Sequence, residues 1–338
     1  MPRHRQRQGH IESLFSNLSN LFAILLVPPE YQKYPSAAQF ETLLRSSPHL
    51  GQYVRYLQVL DGHAEDFDLG NDEWDDWLPN DTSLSFCLPH LVQLRGLVIS
   101  HRQDIPFWSL QMRMMVESGL VAALIDILRL PSLRLFEIEC FPIGFIQLCQ
   151  SIDYLALSKP DWALIEDFEL PVRYVMEDPI QWDELWFLKF LDVRIECEYH
   201  QVHAGGVGSL MWLIRALKEM SSASSGSRLE GLVVQVNYES DDECIDDDLH
   251  PWKTLITMLR TRVYFPYLKR AELRIADAGE RSDENNMPDI VPRVADMIKF
   301  LDANEHSTVI FDVFAAWSEY FRFNDSLDSI TEAVQILR

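Results

Sequence analysis

A strand-like pattern of the form L-x-x-L-x-L, in which other apolar residues replace leucine, recurs along this chain of 338 residues. The seven matches are Val54–Leu57–Val59, Leu94–Leu97–Ile99, Leu133–Phe136–Ile138, Ile152–Leu155–Leu157, Leu188–Leu191–Val193, Leu229–Leu232–Val234 and Leu268–Ala271–Leu273. Their first residues are 40, 39, 19, 36, 41 and 39 positions apart. The alternation within each match is typical of a strand that has one face in the core.

Helical patterns fill the intervals between these strands. Pro106, Pro251 and Pro292 each stand at the start of such a segment, and proline suits the first turn of a helix. A further helix is predicted over about 209–220, where leucine and isoleucine recur at helical spacing. Strands that alternate with helices indicate a parallel sheet.

A spacing near 40 residues exceeds the roughly 20–29 residues of ordinary leucine-rich repeats, but it accommodates a strand, a helix and two loops. A propeller blade needs four strands per unit, and a HEAT-type unit has no strand, so neither fits this pattern. A doubly wound α/β domain remains an alternative, because it also alternates strands and helices. We predict an α/β fold: a leucine-rich-repeat-like solenoid with a parallel sheet on one face and helices on the other.

Three regions are predicted from where the pattern begins and ends. Residues 1–34 form an N-terminal segment, either a remnant or a cap, and residues 35–276 form the irregular solenoid. Residues 277–338 lack the repeat and are predicted to be a mainly helical cap, with a strand at 309–313 and helices around 315–321 and 330–337. End units of a solenoid must cover the last apolar face.

Charge restricts the partners of this chain. The formal net charge is −23 and the isoelectric point is near 4.7. Such a surface repels phosphate backbones and anionic lipids, so we expect a protein partner and neither nucleic acid nor membrane. The apolar stretch 21–27 is too short to span a bilayer, and no A-x-A-like cleavage site follows it.

Cysteine usage points to a reducing compartment. The five cysteines are odd in number and contain no C-x-x-C pair, so neither a disulfide framework nor a zinc knuckle is indicated. Cys87, Cys140 and Cys197 lie in or beside apolar runs and are predicted to be small buried residues. We expect a cytoplasmic or nuclear location.

Three phrases carry a resemblance to a known family. They are LLRSSPHLGQYVRYLQV (43–59), CLPHLVQLRGLVIS (87–100) and LRLPSLRLFEIECF (128–141), with the acidic insert WDDWLP at 74–79. Over about 35–275 the chain resembles fungal F-box-type proteins with degenerate leucine-rich repeats. The resemblance implies substrate recognition for a cullin-type ubiquitin ligase, with the ligase adaptor as a partner. Residues 1–34 lack the Leu-Pro-x-Glu opening of an F-box, so we expect a truncated gene product or a member that lost this module.

Searches for a reactive or metal-binding motif find none. The acidic segment 238–250 lacks EF-hand spacing, and His200, His203 and Glu198 lack a second half to hold zinc. The glycines at 205–208 do not follow a phosphate-binding order, and no G-x-S-x-G elbow is present. We therefore expect no catalytic residue, cofactor or metal, although an α/β enzyme with an unrecognised site stays as an alternative.

Strand alternation identifies a candidate binding face. Residues between the inward-facing apolar positions should face outward, and solenoids use such surfaces for partners. The candidate partner-binding residues are Gln58, Val98, Glu137, Ala156, Asp192, Arg194, Val233, Gln235, Glu272 and Arg274. These rows are mixed in character and do not identify the ligand. The sequence thus predicts a non-catalytic protein-interaction module, either a ligase recognition subunit or a free-standing scaffold.

Overall fold

A computed structural model describes most of the repeated region. The described residues are 23–26, 35–61, 78, 81–101, 115, 117–139, 143–158, 181–197, 210–223, 226–238, 249–277, 290–304 and 309–317. The chain divides into two compact units. The first unit comprises Met1–Ile152 and Leu164–Asp178, and the second comprises Asp153–Ala163 and Pro179–Arg338.

The first unit alternates strands and helices. Its elements are β1 (Ala23–Leu26), α1 (Ala37–Ser46), β2 (Tyr56–Asp61), α2 (Thr82–Cys87), β3 (Gly96–His101), α3 (Leu120–Leu128) and β4 (Leu135–Glu139). Short 3₁₀ helices lie at Pro48–Tyr53, Leu88–His90 and Ile143–Leu148. Polar caps fix where two helices begin: Ser36 and Gln39 form a reciprocal capping box on α1, and Asp81 accepts the Leu84 N–H on α2.

The second unit continues the alternation. Its elements are β5 (Tyr154–Ser158), β6 (Phe190–Cys197), α4 (Leu210–Ser222), β7 (Gly231–Tyr238), α5 (His250–Arg260), β8 (Arg270–Asp277), α6 (Ile290–Asn304) and β9 (Ile310–Trp317). A 3₁₀ helix spans Trp182–Leu185. Pro251 lies in the first turn of α5, and Pro292 lies in the first turn of α6, as predicted.

Within each unit the strands are parallel and follow chain order, β1 to β4 and β5 to β9. The predicted register is confirmed: Leu57 pairs with Leu97, Leu97 with Phe136, and Leu191 with Leu232. The described strands of each unit never reverse this order, so they form no switch point of the kind found in a doubly wound fold. The chain is an α/β protein with parallel sheet.

The helices of each unit form their own layer. In the first unit α1 contacts α2, and α2 contacts α3; in the second α4 contacts α5, and α5 contacts α6. Crossovers between parallel strands are almost always right-handed, so crossovers that step in one direction leave their helices on one face. The three apolar residues that define each of the seven strand matches are all buried. These apolar side chains form the core between the strands and the helices.

Two glycines begin strands beneath an aromatic ring. A Cβ atom on Gly96 would lie 2.6 Å from Cδ1 of Tyr56, and one on Gly231 would lie 2.8 Å from Cδ1 of Phe190. Each ring belongs to the first residue of the preceding strand, and it pairs with the glycine in register. The absence of a side chain lets the ring lie against the neighbouring backbone.

The ends of the repeat differ from the prediction. Strand β1 pairs with β2 before the predicted boundary at residue 35, and β9 pairs with β8 beyond residue 276. The helix expected around 315–321 is wrong in its first part, because residues 315–317 belong to β9. The parallel ladder to β8 overrides the local helical pattern there. Residues 318–338 lie outside the described part of the chain.

We expect Val234→Ala to lower the free energy of unfolding by about 2 kcal/mol, because it removes two buried carbon atoms and leaves a cavity. Val234 is fully buried on β7, whereas Val263 is 84% exposed. The matched Val263→Ala variant should therefore change stability by less than about 0.5 kcal/mol. Urea unfolding of the full chain measures both, and equal losses would contradict the assignment of this core row.

Candidate partner-binding face

The face of each sheet opposite the helix layer is called the free face here. In the first unit its central row is Leu25, Gln58, Val98 and Glu137, paired in register across β1 to β4. In the second unit it carries the rows Ala156, Asp192, Val233, Glu272 and Asp312, and Ser158, Arg194, Gln235 and Arg274. Within each unit the structure therefore aligns the residues that the sequence places together.

The predicted exposure of these rows is wrong in part. Gln58, Val98, Ala156 and Asp192 are buried. The remaining six candidates are half-buried: Glu137, Arg194, Val233, Gln235, Glu272 and Arg274. Adjacent strands lie about 4.8 Å apart, so neighbours in a row cover each other's flanks, and parallel sheets are commonly covered on both faces.

A network of charged side chains crosses the free face of the second unit. Arg274 Nε donates to Glu272 Oε1 at 2.6 Å, and Arg270 Nε donates to Asp312 Oδ2 at 2.7 Å. The Arg270 guanidinium also lies 3.8 Å from the Glu272 carboxylate. The contact between Arg270 and Asp312 joins β8 to β9 through side chains as well as through the backbone, and the other two lie within β8. They hold the charged groups of the face in defined positions.

Asp192 is the most deeply buried acid of this face. Burial raises the pKa of its carboxyl, while the charges of Arg194 and Arg274 and a hydrogen bond from Tyr154 oppose that rise. Arg194 Nε lies 3.9 Å from Oδ1, which is too long for a hydrogen bond, and Oδ1 has no hydrogen-bond partner. Desolvation is therefore the dominant influence on this group.

Gln58 is the corresponding polar residue in the first unit. It is buried between Leu25 and Val98 in register, and neither of its amide atoms has a hydrogen-bond partner. An unpaired buried amide costs about 1–3 kcal/mol. Leu60, the next residue of β2 on this face, is also buried.

Sequence reasoning missed three residues that interact with the charged groups of this face: Tyr154, Arg270 and Asp312. Tyr154 lies two residues before Ala156, so the same alternation would have placed it on this face. Arg270 likewise lies two residues before Glu272. Asp312 falls within the strand predicted at 309–313, but that strand was assigned to the cap and was not aligned with the others, because Thr308 stands at the first motif position.

The described residues contain no group of three or more His, Cys, Asp or Glu placed to hold a metal ion. Cys87 and Cys149 are buried, and burial raises the pKa of both thiols far above the ordinary value, so their thiolates are disfavoured. The side chains of Cys140 and Cys197, residues 198–208 and almost all of 238–250 lie outside the described part.

Comparisons with known proteins find no match to this chain among protein-family models, curated proteins or solved structures. In the part of the chain that the structure describes, no helix combines the length and apolar character needed to cross a membrane.

Asp192→Asn should alter the pH dependence of stability. A raised pKa means that the folded state binds the proton more tightly, so wild type loses stability relative to the variant as pH rises above the ordinary Asp value of 3.8. Urea unfolding of both proteins between about pH 4 and pH 8 measures this difference. If the free energy of unfolding of the wild type instead rises relative to that of the variant as pH increases, the charges of Arg194 and Arg274 outweigh the effect of burial.

Proposed function

We propose that this chain is a non-catalytic protein-binding module built as an irregular leucine-rich-repeat-like solenoid. Support comes from strands that pair in chain order within each unit, helices that contact their chain neighbours, and strand matches spaced near 40 residues. Each repeat then buries its apolar face only against the repeats beside it. Chain-order pairing in a single direction is the feature that distinguishes this proposal from a doubly wound enzyme.

The free face of the second unit is the proposed binding surface, and its ion-paired rows are the observation that carries the proposal. Val233, Gln235, Glu272 and Arg274 lie side by side on β7 and β8 and are all half-buried. Fixed charges of both signs select a partner by complementarity and penalise wrong ones. Their mutual ion pairs fix the side chains before binding, which lowers the entropy cost of association.

Two settings for such a module follow from the sequence. The resemblance to F-box-type proteins supports substrate recognition for a cullin-type ubiquitin ligase, with the ligase adaptor as a second partner. The alternative setting is a free-standing scaffold in the cytoplasm or nucleus that has no link to a ligase. The two settings share the binding face and differ in whether the adaptor binds.

Val233→Arg tests the face while every residue of its ion pairs stays in place. Val233 lies in register between Asp192 and Glu272, so an arginine there would be electrostatically accepted while its bulk would block a partner. Affinity purification of the tagged protein with quantitative mass spectrometry should recover partners with wild type and lose them with this variant. We expect a loss of about tenfold or more in recovered partner, since interface hot spots contribute about 2 kcal/mol or more.

Val263→Arg is the matched control, because the same substitution falls on a highly exposed position in the loop before β8. Partners that survive both substitutions would count against this face as the binding surface. A direct binding assay with purified ligase adaptor separates the two settings: saturable binding supports the ligase and its absence supports the scaffold.

A further inference from the structure

The residue that precedes each strand occupies an equivalent backbone position throughout each unit. The Arg55 carbonyl accepts hydrogen bonds from the N–H groups of Arg95 and Gly96, at 2.6 and 3.0 Å. The Arg95 carbonyl accepts from Arg134 and Leu135 in the same way, at 2.7 and 2.9 Å. In the second unit the carbonyls of Asp153, Lys189 and Glu230 each accept the same kind of pair.

In the second unit the charges at this position alternate and neutralise each other. The row is Asp153, Lys189, Glu230 and Lys269 in strand order. Lys189 Nζ lies 2.9 Å from the Asp153 carboxylate, and Lys269 Nζ lies 2.5 Å from that of Glu230. Opposite charges on neighbouring strands are mutually stabilising, so this row is satisfied within the protein.

In the first unit the residues that precede β2, β3 and β4 are all arginine. Arg55, Arg95 and Arg134 are called the arginine row here, and their backbones are hydrogen-bonded in succession. Neighbouring strands lie about 4.8 Å apart, and like charges placed opposite each other on adjacent strands are destabilising. A bound anion would remove the repulsion between Arg55 and Arg95.

The arginine row presents donors to solvent. Arg95 is exposed, and among the described residues none forms an ion pair with it or accepts a hydrogen bond from its side chain. Arg55 is half-buried, and its NH1 donates to the carbonyls of Gln52 and Gln93 at 2.6 and 3.4 Å. These bonds hold the Arg55 guanidinium in place and use only part of its five N–H donors.

Arg134 is exposed at the other end of the row. Its NH1 donates to the Ser151 carbonyl at 3.0 Å, which anchors this guanidinium as well. Two anchored arginines therefore flank one whose guanidinium is open to a ligand. Such forked donors match carboxylates in bidentate geometry.

Exposed apolar residues lie close in sequence to the arginine row. Tyr53 is 48% exposed and lies two residues before Arg55, and Val92 is 52% exposed and lies three residues before Arg95. Exposed aromatic and aliphatic groups beside arginine are typical of surfaces that bind peptides. The combination favours a peptide over a free small anion.

We propose that the arginine row binds a carboxylate-rich peptide segment of a partner protein. It is a recognition site distinct from the free face, because it lies where the strands begin and uses no free-face side chain. The net charge of −23 opposes a long polyanion such as nucleic acid. For a short acidic segment, attraction to the nearby arginines outweighs repulsion by the distant acidic surface, since charges more than about 8 Å away are screened at physiological salt.

Fluorescence anisotropy with a labelled oligoglutamate peptide tests this proposal on the full chain. We expect saturable binding that weakens as salt rises, and no binding of a Gly-Ser peptide of equal length. Arg95→Glu should raise the dissociation constant about fivefold or more, because one exposed ion pair contributes up to about fivefold and the reversed charge adds repulsion. Far-ultraviolet circular dichroism of each variant verifies folding.

Arg215→Glu is the matched control, since it makes the same change of charge at an exposed position of α4 in the second unit. It should leave the dissociation constant within about twofold of wild type, because distant charges are screened. Equal weakening by both variants would overturn the arginine row as the site. Tighter binding of a single-stranded oligonucleotide of equal length than of the peptide would overturn the choice of partner. The Val233→Arg variant should bind oligoglutamate as wild type does. The arginine-row proposal and the free-face proposal can therefore be refuted separately.

Discussion

The hydrogen bonds between strands that are neighbours in the chain determine the rest of this structure. Within each unit every described strand finds its ladder partner in the strand before or after it. A parallel ladder fixes which residues share a row, and the side-chain alternation fixes which rows face the helices. Core, free face and arginine row are all consequences of one register. A shift by one residue would move the buried leucines to the opposite face.

The aliphatic pattern was sufficient to predict this register. Leu57, Leu97 and Phe136 pair as the motif aligned them, because only one alignment buries all three. The motif did not reveal β1, and it did not show that the strand predicted at 309–313 continues the ladder as β9. At the first motif position of β9 stands Thr308, and a strand at the end of a ladder is specified by pairing more than by its own leucines. The local sequence of residues 315–317 indicates a helix, but the ladder to Arg274 through Asp277 outweighs it.

The free face shows a different limit of sequence reasoning. Alternation places Asp192 and Glu272 in one row, but it does not say that the first is buried and the second half-exposed. Burial depends on side chains from distant parts of the chain, and so does the pKa of Asp192. The ion pair between Arg270 and Asp312 spans two strands whose pairing had to be known first. The arginine row was missed because its residues precede the strands and belong to no apolar pattern.

The repeated hydrogen bonds at the strand starts also bear on how a chain of this kind changes its length. The Arg55 carbonyl meets the N–H groups of Arg95 and Gly96, and the Arg95 carbonyl meets those of Arg134 and Leu135 in the same arrangement. A segment that begins at one such position and ends before the next is therefore interchangeable with its neighbour at the level of the backbone. Duplication or deletion of a whole repeat leaves every remaining ladder with a partner, whereas a change of a few residues inside a strand does not. Insertion or loss of a whole strand–helix segment would therefore keep the register of the strands that remain.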